Sequence, residues 1–305
     1  MPWLSQGSIY LTGDKTMTLA NSAVLVSLHI KQWSARKLDR KASKEVCDAH
    51  EAHSSAGNFN KQLIRKMDLK PIQRVVNSAR NYHYENTLAW DHDGADMLPS
   101  RHYITYMSKM ADYQAEFQKE VDNFIKTYPE LLTSVMNDLS SLYNSEDYPS
   151  QEKLRHKFTM NIRVTPIPES GDFRVDLPEK ERQKLQEELD QRLSDANQAA
   201  EKDLYMRLYT TLAKAVVVLK TPDKIFRNSL ILNIIELTNK IPAMNFNNST
   251  ELEQHARDLS VISKNIEIDK LREEDAIYRR TVANDLENEL QDIEQTYLSK
   301  WSDLS

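Results

Sequence analysis

From Pro178 to Lys220 the chain contains no glycine and, after its first residue, no proline. Within that stretch Leu185, Leu189, Leu193, Ala196, Ala200, Leu204, Leu208, Leu212 and Val216 recur at intervals of three and four. Rungs at that spacing line one side of an α-helix. At the α-helical rise the segment spans about 60 Å. A helix of that length outruns a single small core, so it needs a long helical partner in the same chain or in another. Its first half is highly charged and its second half strongly apolar, which predicts a projecting first half and a buried second half. The segment from Thr250 to Trp301 is also free of glycine and proline, with Tyr278, Val282, Leu286, Leu290, Ile293, Tyr297 and Trp301 as its stripe. It is the natural antiparallel partner.

Upstream, two periodicities alternate. Val24, Val26, Leu28 and Ile30 interleave with Leu25, Ser27 and His29, the pattern of a strand with one fully apolar face. Residues 31–53 read as a basic helix and 54–60 as a loop. Pro71 opens the next helix at its first turn, where a missing N–H costs nothing, with Ile72, Val75, Val76, Ala79 and Tyr82 as its stripe. Residues 86–99 break the helical pattern, and Asp91-His92-Asp93-Gly94 marks a tight turn or short hairpin. Tyr103, Tyr106, Met110, Tyr113, Phe117, Val121 and Phe124 predict a long helix that Pro129 interrupts. Phe158, Met160, Ile162 and Val164 alternate, and Phe173 and Val175 return after Pro166, Pro168 and Gly171, so a hairpin over 158–176 is expected. Thr221-Pro222-Asp223 reads as a helix start, Ile225, Leu230, Ile234, Ile235 and Leu237 as a buried helix ending near Pro242, and Thr250 with Glu253 as a capping box.

The expected fold class is mainly α, with long antiparallel helices forming a coiled-coil-like arm and a small β element. The expected organisation is a mixed, mostly helical body over 1–150, a β-hairpin over 151–177 and a long-helix bundle over 178–305.

Five glycines, Gly7, Gly13, Gly57, Gly94 and Gly171, exclude whole classes of chemistry. Phosphate-cradling loops need clustered glycines so that backbone N–H groups can approach the phosphates. No two of these five lie within five positions of each other. There is no Walker A loop, no dinucleotide fingerprint and no G-x-S-x-G elbow. The single cysteine, Cys47, excludes an internal disulfide and a four-thiolate zinc site and fits a reducing compartment. Met1–Tyr10 lacks the basic and apolar regions of a secretory signal. The longest apolar runs, such as Ala23–Val26 and Ala215–Leu219, fall far short of the roughly 18 residues that span a bilayer. A cytoplasmic protein with no membrane association is expected.

Three places carry residue types suited to binding or chemistry. The first is basic: Lys31, Arg36, Lys37, Arg40, Lys41 and Lys44 surround one acid, Asp39. Residues 1–80 hold 13 Lys/Arg and 6 Asp/Glu, a local charge of +7 in a chain of net charge −6. Clustered cations can neutralise phosphates, and Trp33 can stack on a base, so single-stranded DNA is a candidate ligand. The same cations suit a solvated helix face. The second place is acidic and histidine-rich, with His83, Glu85, Asp91, His92, Asp93, Asp96 and His102. Asp91, His92, Asp93 and Asp96 are candidate ligands for a divalent ion. They do not make an EF-hand, because Gly94 as the loop glycine would put Ala89 first and Ser100 twelfth. A turn whose Asp side chains satisfy local N–H groups explains them equally. The third is Cys47 near His50 and His53, where a helical neighbour can lower a thiol pKa; a half-buried structural cysteine is the simpler reading. No catalytic residue, cofactor or firm metal ligand is assigned, and a non-enzymatic protein is expected.

Four stretches in order resemble a family of phage and mobile-element proteins of unknown function. They are Ser27-Leu28-His29-Ile30-Lys31-Gln32-Trp33-Ser34-Ala35-Arg36-Lys37, Thr87-Leu88-Ala89-Trp90-Asp91 with Leu98-Pro99, Phe124-Ile125-Lys126-Thr127-Tyr128-Pro129, and Ile241-Pro242-Ala243-Met244-Asn245-Phe246. The spacing departs from the family pattern after residue 37. Genes of that family often lie beside a MoxR-type AAA+ ATPase and a von Willebrand factor A-domain protein. The resemblance thus implies an accessory role with such a pair, in the host cytoplasm, and supplies no catalytic residues; the long apolar ladder suits an adaptor that presents helical surfaces to the ATPase or to a second copy of the chain.

Overall fold

The computed structural model describes residues 19–90, 94–169, 178–221, 224–271 and 276–301. Its order is α1 (Leu19–Ser22), β1 (Ala23–Lys31), β2 (Arg36–Leu38), α2 (Arg40–Ala49), β3 (Asn60–Gln62), α3 (Lys66–Asn86), β4 (Leu88–Ala89), β5 (Asp96–Pro99), α4 (Tyr103–Leu139), α5 (Gln151–Arg155), β6 (Thr159–Pro166), α6 (Glu179–Lys220), α7 (Ser229–Met244), α8 (Thr250–Lys264) and α9 (Ala276–Lys300). The fold is mainly α with a small antiparallel sheet.

Four strands form the larger sheet in the order β4-β5-β1-β6. The register sets Val24 opposite Leu98, and Val26, Leu28 and Ile30 opposite Val164, Ile162 and Met160. Paired residues share a face, and all of these pack into one core with α3 and α4. Leu25, Met97 and Leu88, one residue out of phase, pair across the other face and join a second core with α6 to α9. The alternation in β1 therefore serves two cores. β6 pairs with β1 along its whole length; Gly171, Phe173 and Val175, the expected return of a hairpin, lie outside the described residues.

Several helix limits differ from the sequence pattern, each for a local reason. The expected basic helix over 31–53 is confined to α2. Ala35 turns the chain with a φ of 50° after β1, and Asp39 then starts the helix by accepting from the Ala42 N–H at 3.1 Å. The expected opening of α3 at Pro71 is overturned: the helix begins at Lys66, and Pro71 lies inside it near the start. Pro129 does not interrupt α4, which runs from Tyr103 to Leu139. Proline removes the N–H that would bond the carbonyl four residues earlier, here Ile125. The Gln151 side-chain amide donates to that carbonyl at 3.0 Å instead. Replacing Gln151 with Met should cost about 1 kcal/mol, the value of one such bond, read as a shift in urea midpoint at unchanged slope.

Ile225 is 82% exposed and precedes α7, which begins at Ser229 and passes through Pro242 to Met244. Thr221 therefore does not cap that helix, and Pro222 and Asp223 lie outside the described residues. The cap of α8 is Ser249 rather than Thr250: its hydroxyl accepts from the Leu252 N–H at 3.4 Å. The Asn245 side chain holds Ser249 in place, accepting from its N–H and donating to its carbonyl, both at 3.0 Å. The C-terminal segment is not continuous either. α8 ends at Lys264 with Asn265 as its C-cap, and Ile266, Ile268 and Leu271 turn into the second core.

α6 and α9 are antiparallel. Arg279 donates to the Val218 carbonyl at 3.2 Å, Lys220 pairs with Glu287, and Lys300 pairs with Glu201 at 2.7 Å. α9 therefore accompanies α6 from Glu201 to Lys220, and α7 packs beside the same half, where Arg207 and Thr211 share a cleft with Asn233 and Leu237. Within residues 179–195 only Leu189 is buried.

Candidate functional site

The basic segment is split among three elements. Lys31 ends β1 and is exposed. Trp33 is half-buried, its indole against Phe124 and Tyr128 with ring centroids 6.4 and 6.1 Å away. Arg36, Arg40, Lys41 and Lys44 are exposed, Lys41 lying 3.9 Å from Glu45. Lys37 pairs with Asp147 at 2.5 Å.

Behind Lys37 stands a buried cation, Lys61 on β3. Its ammonium lies 2.6 Å from Asp147, 3.0 Å from Asp39 and 2.9 Å from the Leu142 carbonyl. Burial works against that charge, but the two carboxylates outweigh it and raise the Lys61 pKa. Burial likewise pushes Asp147 up, and Lys37 and Lys61 more than reverse this. Nothing in the sequence pointed to Lys61, because its main partner lies 86 positions away and it sits in a polar strand. The group fastens the chain around residue 147 to the β2–β3 ribbon.

Of the acidic and histidine-rich stretch, Asp91, His92 and Asp93 lie outside the described residues. Asp96 and His83 meet: the His83 Nε2 lies 2.7 Å from the Asp96 carboxylate, and its Nδ1 lies 2.6 Å from the Tyr106 hydroxyl. His83 and Tyr106 are buried. Burial first, and Asp96 second, push the Tyr106 pKa well above the usual tyrosine value. Tyr82 stacks on Tyr106 at 5.9 Å. The chain of contacts has the form of an acid–base relay, but both ends of the imidazole are occupied by protein groups. Glu85 is exposed on another face of α3, and His102 is half-buried. Burial, with Lys240 and Arg101, lowers the His102 pKa. Among the described residues no group of three His, Cys, Asp or Glu side chains is placed to hold a metal ion. Cys47 is buried on α2, and the His53 ring bonds Ser55 at 2.8 Å rather than the thiol.

A cleft of about 460 Å³ opens between α3, α6 and α7, with Tyr84, Glu85, Arg207, Glu236 and Lys240 among its walls. Its cations are already neutralised. Arg207 pairs with Asp203 at 2.7 Å and donates to the Thr87 carbonyl at 2.8 Å, and Lys240 pairs with Glu236 at 2.6 Å. In sequence these are ordinary i,i+4 pairs. In the fold Arg207 ties the end of α3 to α6. No helix among the described residues is long and apolar enough to cross a membrane. Comparisons with protein-family models, with curated proteins and with solved structures give no match to this chain.

Proposed function

We propose that the protein is a non-enzymatic helical adaptor whose first half of α6 forms a coiled-coil-like arm for a protein partner. The observation that carries this reading is the mismatch between α6, with 42 residues, and α9, with 25. The pairing of Lys300 with Glu201 places the end of α9 well inside α6. Leu185 continues the apolar rungs beyond it and is half-buried, whereas Leu193 already packs against the second core. A helix gains most of its stability from packing on an apolar side, so this stretch suits a further helix. The buried histidine and lysine groups support the non-enzymatic side of the reading, since each is bonded to protein groups. The resemblance suggests a MoxR-type AAA+ ATPase as the partner, and the long apolar ladder suits a second copy of the chain as the alternative.

The test is size-exclusion chromatography with light scattering, alone and with a MoxR-type AAA+ ATPase from the same genome. A complex or a dimer is expected, and Leu185→Glu should abolish it while leaving the far-ultraviolet circular dichroism unchanged. A monomer that never joins the ATPase would overturn the adaptor.

A further inference from the structure

The β2–β3 ribbon has an open outer edge. The Asp39 N–H donates to the Phe59 carbonyl at 2.9 Å, and the Leu63 N–H to the Ala35 carbonyl at 2.7 Å. With Arg36, Lys37 and Leu38 opposite Gln62, Lys61 and Asn60, these bonds fix the alternation of the antiparallel ladder. Residues 35, 37 and 39 face β3. The N–H and C=O groups of Arg36 and Leu38 therefore face outward, and the ribbon holds only β2 and β3, so no strand among the described residues pairs with that side. All three residues of β2 are exposed, Leu38 by 41%.

We propose that this edge accepts an extended acidic segment of a protein partner as an added strand. The inference rests on the adaptor reading and gives it a second contact. Main-chain bonds to an open edge supply affinity, and alternate side chains supply specificity. Arg36 and Leu38 share one face of β2, Lys37 takes the other, and Arg40, Lys41 and Lys44 follow at once on α2. Like charges oppose edge-to-edge pairing of two copies, whereas an acidic strand is drawn in. Leu38 calls for an apolar residue beside the acids. Nucleic acid is the poorer occupant: outward amides and an aliphatic side chain offer no stacking platform, and Trp33 is packed on Phe124 and Tyr128.

The probe is a fluorescein-labelled hexapeptide of alternating Glu and Val, titrated with the full chain by fluorescence anisotropy. Saturable binding is expected. Arg36→Glu should weaken it by about tenfold or more, the scale of one strong contact. Leu38→Pro, which removes one outward N–H and keeps the bonded pair of Lys37 with Lys61, should weaken it as much. Melting temperature confirms folding of each variant, and Arg36→Glu stands alone if Leu38→Pro unfolds. Absence of saturable binding, equal binding by the folded variants, or displacement of the peptide by oligo-dT overturns the proposal. Leu185→Glu leaves β2 intact, so loss of the α6 arm and loss of this edge are read separately.

Discussion

Lys61→Met is expected to destabilise the protein by about 3–5 kcal/mol at pH 7, the usual cost of removing one partner from a buried ion pair. The Lys61 and Asp147 side chains are 5% and 3% exposed, so solvent cannot replace the lost ammonium. The pH dependence identifies the cause. The Asp147 pKa is lowered from an ordinary value of 3.8: burial raises it, and the hydrogen bonds and charges of Lys37 and Lys61 lower it by more. A carboxyl lowered on folding contributes stability above its unfolded pKa and loses that contribution as pH falls through the folded one. The Lys61 pKa is raised from 10.5, burial opposing the change and the two carboxylates prevailing. An ammonium raised on folding contributes below its unfolded pKa and loses that contribution as pH rises through the folded one. The gap between wild type and variant should therefore be widest near neutrality and should close below about pH 4 and above about pH 10.5. Urea unfolding at pH 3, 7 and 11 measures it. A gap that stays constant with pH would show that lost packing, not lost charge, carries the effect.

The helices and the apolar face of β1 were legible because their causes are local. The rungs from Leu185 to Val216 and the alternation from Val24 to Ile30 record which side of each element is dry. The limits of α2, α4 and α8 were harder because single distant or neighbouring atoms set them. Pro129 is tolerated through Gln151, 22 residues on, and a reader of α4 alone sees a helix breaker. Ser249 displaces Thr250 as the cap because Asn245 grips its backbone, although both residues are good caps. The polar groups were least legible. The basic run from Lys31 to Lys44 reads as a single face, yet Asp39 ends its extended part and begins its helical part, so its cations divide among a strand end, a ribbon and a helix. Charge density survives such a division; a helical arrangement of those charges does not.

His83→Leu should cost about 2–4 kcal/mol, because it leaves the buried Tyr106 hydroxyl and the Asp96 carboxylate without their shared partner. The Asp96 side chain is 17% exposed, so water offsets part of the loss and the upper end of the usual buried-pair cost is not reached. Tyr106→Phe removes the hydroxyl but leaves the buried His83 Nδ1 without its partner, so it should cost about 1–3 kcal/mol. In the double variant His83→Leu with Tyr106→Phe, the orphaned hydroxyl and the orphaned ring nitrogen both disappear, so its cost should be less than the sum of the two single costs. Residues kept for catalysis commonly sit in strained or poorly satisfied settings, and their replacement tends to stabilise. A folded His83→Leu variant that melts above the wild type would therefore mark the Asp96–His83–Tyr106 chain as functional and remove one support of the non-enzymatic reading. A loss of the expected size, recovered in part by Tyr106→Phe, assigns the imidazole to fastening β5 and α4 onto α3.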